Sequence, residues 1–303
     1  MEINENAQVD PSQIDDVRSR SGGGRIVGLG GIPIPTSKGG LIVTAIAVVL
    51  ALAGGGFGVS QFTGGGDSGN NISTDCAAGS SGHHDTDCTN ALYVESIQDF
   101  WGKEMPSVFN KPYQTAKTEF FSGQTQTGCG AADSGVGPFY CPEDNEVYID
   151  LTFYDELVDK FGAKGEFAQP YVLAHEYGHH IQDLIGTEAA VTRAEQRDPQ
   201  DQNKYSVMLE LQADCYAGVW ANHAADTKDT HGTPIFTSIT KQDISDAIDA
   251  AGAVGDDAIQ QKMGGGVDES QFTHGSSAQR EHWFSTGYDS GDPKSCDTFG
   301  GSL

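Results

Sequence analysis

The run His175-Glu176-Tyr177-Gly178-His179 constrains the fold of this chain more than any other feature, because its two imidazoles converge only if the segment is helical. Four residues make about one helical turn, so both rings lie on one flank and can reach a tetrahedral cation. Glu176 is rotated by about 100° from His175, which keeps it out of the ligand set and frees it to act as a base on water. The surroundings predict the helix independently. Phe167, Tyr171, Ala174, Gly178, Ile181 and Ile185 form an apolar stripe at helical period, Pro170 suits the first turn, and Gly186 suits the C-terminal stop. A zinc peptidase is the expectation. A buried helix with merely hydrogen-bonded histidines is the alternative.

Two histidines and a water leave zinc one protein ligand short, and Glu210 is the candidate. Glu210 and Asp214 are four residues apart, on a helix face otherwise made of Val207, Ala217, Gly218 and Ala221. Carboxylates on a small apolar face need partners. Glu210 as third ligand and Asp214 as acceptor for the other N–H of a ligand histidine would supply them and fix that ring's tautomer.

Residues 41–59 are the only long apolar run; they carry no charge and are long enough to cross a bilayer. A cleaved signal peptide competes, but the preceding polar tail is long and no clean small-x-small site follows. Arg18, Arg20, Arg25 and Lys38 precede the run and no basic residue follows until Lys103, which predicts a cytoplasmic N-terminus and a domain outside the cytoplasm. The expected layout is a disordered cytoplasmic tail (1–40), a transmembrane helix (41–59), a flexible linker (60–90) and one catalytic domain (91–303). In the linker, His83 and His84 read as solvated. Six cysteines suit an oxidising compartment. Cys76 with Cys88, Cys129 with Cys141 and Cys215 with Cys296 is the preferred pairing, although spacing alone cannot choose.

The net charge of −26 falls almost wholly after the apolar run, so the surface repels polyanions and nucleic-acid binding is not expected. From Ala91 the pattern turns globular, with Tyr93, Ile97, Phe100 and Trp101 at helical spacing. Residues 117–122 and 146–151 read as strands, with a turn-rich loop between them. Helices then dominate: 153–161, the histidine helix, the Glu210 helix, 243–253 and 276–288. A few strands followed by many helices predict an α+β domain.

His175 to Gln182, Glu210-Leu211-Gln212-Ala213-Asp214-Cys215 and Phe272-Thr273-His274-Gly275 resemble the bacterial neutral zinc metallopeptidases of the YpfJ type. The resemblance runs from about Ala91 to the C-terminus. It implies a zincin-like fold, mostly helical with a small sheet, one Zn2+ with Glu as third ligand as in gluzincins, and a peptide or protein substrate. By the same resemblance, 146–151 is the candidate strand for pairing with substrate. His274 is the candidate oxyanion donor and Arg280 a further transition-state support; a helix N-cap followed by a surface arginine is the plainer reading of that stretch. Two rivals to a membrane-anchored endopeptidase remain: a membrane-tethered scaffold with structural zinc, and a zinc amidohydrolase acting on a non-protein amide.

Overall fold

A computed structural model of the chain describes residues 1–18, 72–80, 82–163 and 165–300. In chain order these form β1 (Glu2–Ile3), β2 (Ile14–Asp16), α1 (Ile72–Asp75), α2 (Thr86–Phe109), β3 (Lys117–Phe121), β4 (Gln124–Thr127), β5 (Gly130–Asp133), β6 (Phe139–Cys141) and β7 (Glu146–Asp150). The second half contributes α3 (Phe153–Asp159), α4 (Ala168–Ile185), α5 (Thr187–Arg197), α6 (Gln202–His223), β8 (Phe236–Ser238), α7 (Lys241–Ala253), α8 (Asp256–Lys262) and α9 (Ser277–Ser290). The mixture of a small sheet with many helices is the α+β class that the element pattern predicts.

The histidine helix starts and stops where its sequence says. Pro170 lies in the first turn of α4, and Gly186 ends the helix in the left-handed region at φ 88°, its N–H returning to the carbonyls of Gln182 and Asp183. Gly178, inside the histidine motif, sets the depth of packing: a Cβ there would lie 2.9 Å from the Ala213 Cα, so its absence lets α4 approach the backbone of α6. On the other side of α6, a Cβ on Gly287 would lie 1.9 Å from the Cys215 carbonyl oxygen, so its absence lets α9 approach the backbone of α6 still more closely. Three helices are thereby drawn together behind the metal motif. α9 begins with a capping box between Ser276 and Gln279. Aromatic side chains fill the space between α2 and this stack, with Trp101, Tyr216, Trp220 and Phe167 all fully or nearly fully buried.

The main sheet has the order β2-β3-β7-β6, parallel across β2, β3 and β7 and antiparallel between β7 and β6. This corrects one expectation. The 146–151 strand is internal, and β6 is the end strand on that side. The segment before it is also more regular than expected, since β4 and β5 form an antiparallel hairpin whose turn is stapled to β6 by Cys129–Cys141. All three disulfides match the preferred pairing.

The first 18 residues are a larger correction, because they belong to the domain instead of forming a disordered tail. β1 pairs with β8 and β2 with β3; Ala7 is fully buried, and Arg18 bridges Asp16 and Asp87 at 2.6 and 2.7 Å. The backbone N–H groups of Gln8 and Asp10 donate to Asp229 and Glu95, each at 2.9 Å. These contacts are mostly backbone to distant carboxylate, so no local periodicity announces them. The expected linker is likewise partly ordered: α1, the Cys76–Cys88 bridge and the first turn of α2 fall within 72–90. His83 is buried there with Nε2 2.9 Å from the Ala7 carbonyl oxygen, not solvated. The expected membrane helix at 41–59 lies outside the described residues. Among the described residues, no helix is long and apolar enough to cross a membrane.

Candidate metal centre

α4 and α6 bring His175, His179 and Glu210 to one point. His175 Nε2 lies 3.1 Å from Glu210 Oε2 and 3.2 Å from His179 Nε2, and His179 Nε2 lies 3.6 Å from Glu210 Oε1. Two imidazoles and one carboxylate, all buried, form a cluster that could hold a metal ion, and donors of these types suit zinc.

Burial opposes charge throughout the cluster, and the neighbours decide which groups keep it. Burial works against a proton on His175, but Asp214 and Glu210 outweigh it and raise its pKa to about 9. For His179 burial wins, with His175 pushing the same way, and its pKa falls to about 4. Glu210 is also resisted by burial, yet His179, His274 and His175 hold it well below the usual carboxylate range.

Glu176 stands apart. Its carboxylate is fully buried, and neither oxygen makes a well-formed hydrogen bond among the described residues, the Tyr140 N–H of β6 giving only a weak pull. Burial drives its pKa well above the ordinary value, and Glu210 adds to the push, while His175 and the Tyr140 backbone amide of β6 offset it only partly. A buried carboxylate so poorly bonded costs several kcal/mol. It fits a group placed for chemistry, which a purely packed helix would not retain.

Asp214 sits behind His175, with Oδ1 2.8 Å from Nδ1 of that ring and accepting from the Tyr171 hydroxyl at 2.7 Å. Arg280 is fully buried and not on the surface. Its Nε and Nη2 donate to the two Asp214 oxygens, and Nη2 also reaches the Tyr171 hydroxyl at 3.2 Å. The guanidinium thus sits behind His175, engaged with Asp214 and Tyr171, which corrects the reading of a surface arginine.

His274 is brought beside the cluster by the loop between α8 and α9. Asp256 Oδ2 accepts the backbone N–H groups of Thr273, His274 and Gly275 at 2.7–2.9 Å, and Oδ1 lies 3.2 Å from His274 Nδ1. Burial opposes a proton on His274, but Glu210 and Asp256 raise its pKa. Asp256, the first residue of α8, was not legible as a site residue, because the backbone it holds at 273–275 is distant in the chain. Tyr171 was read only as part of the apolar stripe, although its place one turn before His175 was a usable signal. Tyr177 points away, bonded to Thr118 and the Ala116 carbonyl. A 710 Å³ surface cleft lies beside the N-terminal strand and α2 and is lined by none of these residues.

Residues 4–299 match the family described as "Putative neutral zinc metallopeptidase". The uncharacterized protein YpfJ of Escherichia coli K12 is 41% identical over 289 residues, covering 94% of this chain and 95% of the relative. The uncharacterized protein Rv2575 of Mycobacterium tuberculosis is 44% identical over 226 residues, 74% of each chain. No solved structure matches. With the match extending over nearly its whole length, the chain belongs to this neutral zinc metallopeptidase family.

Proposed function

We propose that the chain is a zinc-dependent endopeptidase holding one zinc through His175, His179 and Glu210, with Glu176 as general base. The observation that carries this reading is the buried, poorly bonded Glu176 carboxylate beside three converging donor atoms. When bound, zinc supplies Lewis acidity that activates water near neutral pH and polarises the scissile carbonyl. Glu176 accepts the proton of the attacking water and passes it to the leaving amine nitrogen. His274, aligned by Asp256, donates a hydrogen bond to the developing oxyanion. Asp214 accepts from His175 Nδ1–H and leaves Nε2 bare for the metal, and Arg280 keeps Asp214 ionised and in place.

Substrate would lie along β6, the end strand nearest Glu176, and not along β7. A strand edge favours an extended peptide over a small amide. Glu176 also weighs against a structural zinc, whose closed ligand set has no use for a bare carboxylate beside it. The three disulfides support an oxidising compartment outside the cytoplasm. A single crossing at 41–59 would put residues 1–18 and the domain on opposite sides of a bilayer, which their shared sheets do not allow, so any membrane attachment through 41–59 must leave both on the same side.

The test is digestion of a proteome-derived peptide library by zinc-loaded, chelated and zinc-restored protein. New peptide termini that vanish on chelation and return with zinc are expected. Their absence with the fully loaded protein would overturn the reading.

A further inference from the structure

The two metal-site histidines are backed by different chemistry. His175 has the Asp214 carboxylate behind it, whereas His179 Nδ1 faces a neutral amide, Gln182 Oε1, at 2.9 Å. The orientation of that amide is not free. Gln182 Nε2 lies 2.7 Å from the Leu209 carbonyl oxygen, which can only accept, so the nitrogen must face Leu209 and the oxygen must face His179. An oxygen there can only accept in turn, so the proton sits on His179 Nδ1 and the Nε2 lone pair points to the cluster.

The amide is itself held from behind. Gln182 Nε2 also reaches Gln212 Oε1 at 3.2 Å, and Gln212 Nε2 donates to the Cys296 carbonyl at 2.8 Å. Cys296 is bonded to Cys215 of α6, so the chain of contacts ends on a covalent anchor. Both glutamines are buried, at 1% and 6% exposure, where water cannot replace a lost partner.

We propose that Gln182, locked by Leu209, Gln212 and the Cys296 carbonyl, is the positioning residue that fixes the tautomer and ring orientation of His179. This rests on His179 being a zinc ligand. Leu209 immediately precedes Glu210, so the same amide also ties the register of the third donor to the second. The metal site is thereby coupled to the C-terminal segment through two side-chain amides.

The test measures zinc affinity by chelator competition, together with the melting temperature of the metal-free protein, for the full chain and three variants. Gln182→Ala removes both roles of the amide. Gln182→Glu keeps an acceptor for His179 Nδ1–H and removes the donor to Leu209. Gln212→Ala removes the outer link. The expected result is a loss of about 10–100-fold in zinc affinity for Gln182→Ala, a smaller loss for Gln212→Ala, and retention of most of the affinity by Gln182→Glu. Wild-type affinity in Gln182→Ala would overturn the proposal. So would an equal loss in Gln182→Glu, which would make the residue a tie between α4 and α6 only. Failure of the wild-type chain to bind zinc would instead overturn the assignment of the site.

Discussion

Arg280 grips Asp214 through two hydrogen bonds, Nε to Oδ2 at 2.8 Å and Nη2 to Oδ1 at 2.9 Å, in a place where neither residue has any exposed surface. A paired charge of this kind is strongly destabilised when one partner is removed, because the other is left buried and uncompensated. Arg280→Ala is expected to cost about 3–5 kcal/mol of folding stability, read as a large drop in denaturation midpoint. Asp214→Asn is expected to weaken zinc binding by about 10–100-fold, since it removes the charged acceptor behind His175. A fall in turnover alone, with stability and metal affinity unchanged in Arg280→Ala, would return that arginine to direct transition-state contact.

His274 is placed differently, on a loop pinned by Asp256 and not on a helix that carries a metal donor. His274→Ala should keep zinc and KM close to wild type and lower kcat on the order of 100-fold, because an oxyanion donor acts mainly in the transition state. Loss of zinc in that variant would make His274 a ligand.

The N-terminal segment is held by Glu95, whose pKa burial raises to about 7 against an ordinary 4.5, with the backbone donors Asp10 and Thr230 pulling it back and the charges on Asp10 and Asp229 adding to the rise. The folded state therefore binds this proton more tightly than the unfolded chain. Its stabilising effect is complete below pH 4.5 and is lost as pH climbs to about 7. Glu95→Gln is expected to lower stability overall, by mispairing one backbone N–H, while flattening the slope of stability against pH across that window. Thermal melts at a series of pH values check it, and identical slopes in the two proteins would contradict it.

Because β2 is a strand of the main sheet, Ile14→Ala should cost about 2–5 kcal/mol, as for a core aliphatic. A disordered tail would tolerate it without effect. By the same packing, an N-terminal tag and the domain should show the same protease accessibility in intact cells and spheroplasts. Opposite accessibility would separate residues 1–18 from the sheet in the native membrane context.

What the sequence revealed and what it hid divide along the range of the interactions. The bounds of α4 were legible because stripe, Pro170 and Gly186 are all local to it. Glu210 and Asp214 were legible because two charges on a face of small apolar residues are anomalous within a single helix. The internal position of β7 was not, since strand order is decided by β2 and β3 pairing from distant parts of the chain. The burial of Arg280 was hidden for a similar reason: nothing near it in sequence discloses that α9 lies against α6 with glycines at both contact points. The ordered N-terminal segment escaped notice because its partners, Glu95 and Asp229, are more than 80 residues away in the chain.

The most direct measurement of the central claim is peptide-bond hydrolysis by wild type and Glu176→Gln at equal zinc loading. Glu176 makes no well-formed hydrogen bond among the described residues and does not belong to the three-donor cluster. The substitution removes the base and leaves the three donor side chains in place. Full zinc occupancy, an unchanged or raised melting temperature and the disappearance of cleavage are the expected result. Cleavage by zinc-loaded Glu176→Gln at the wild-type rate would contradict it.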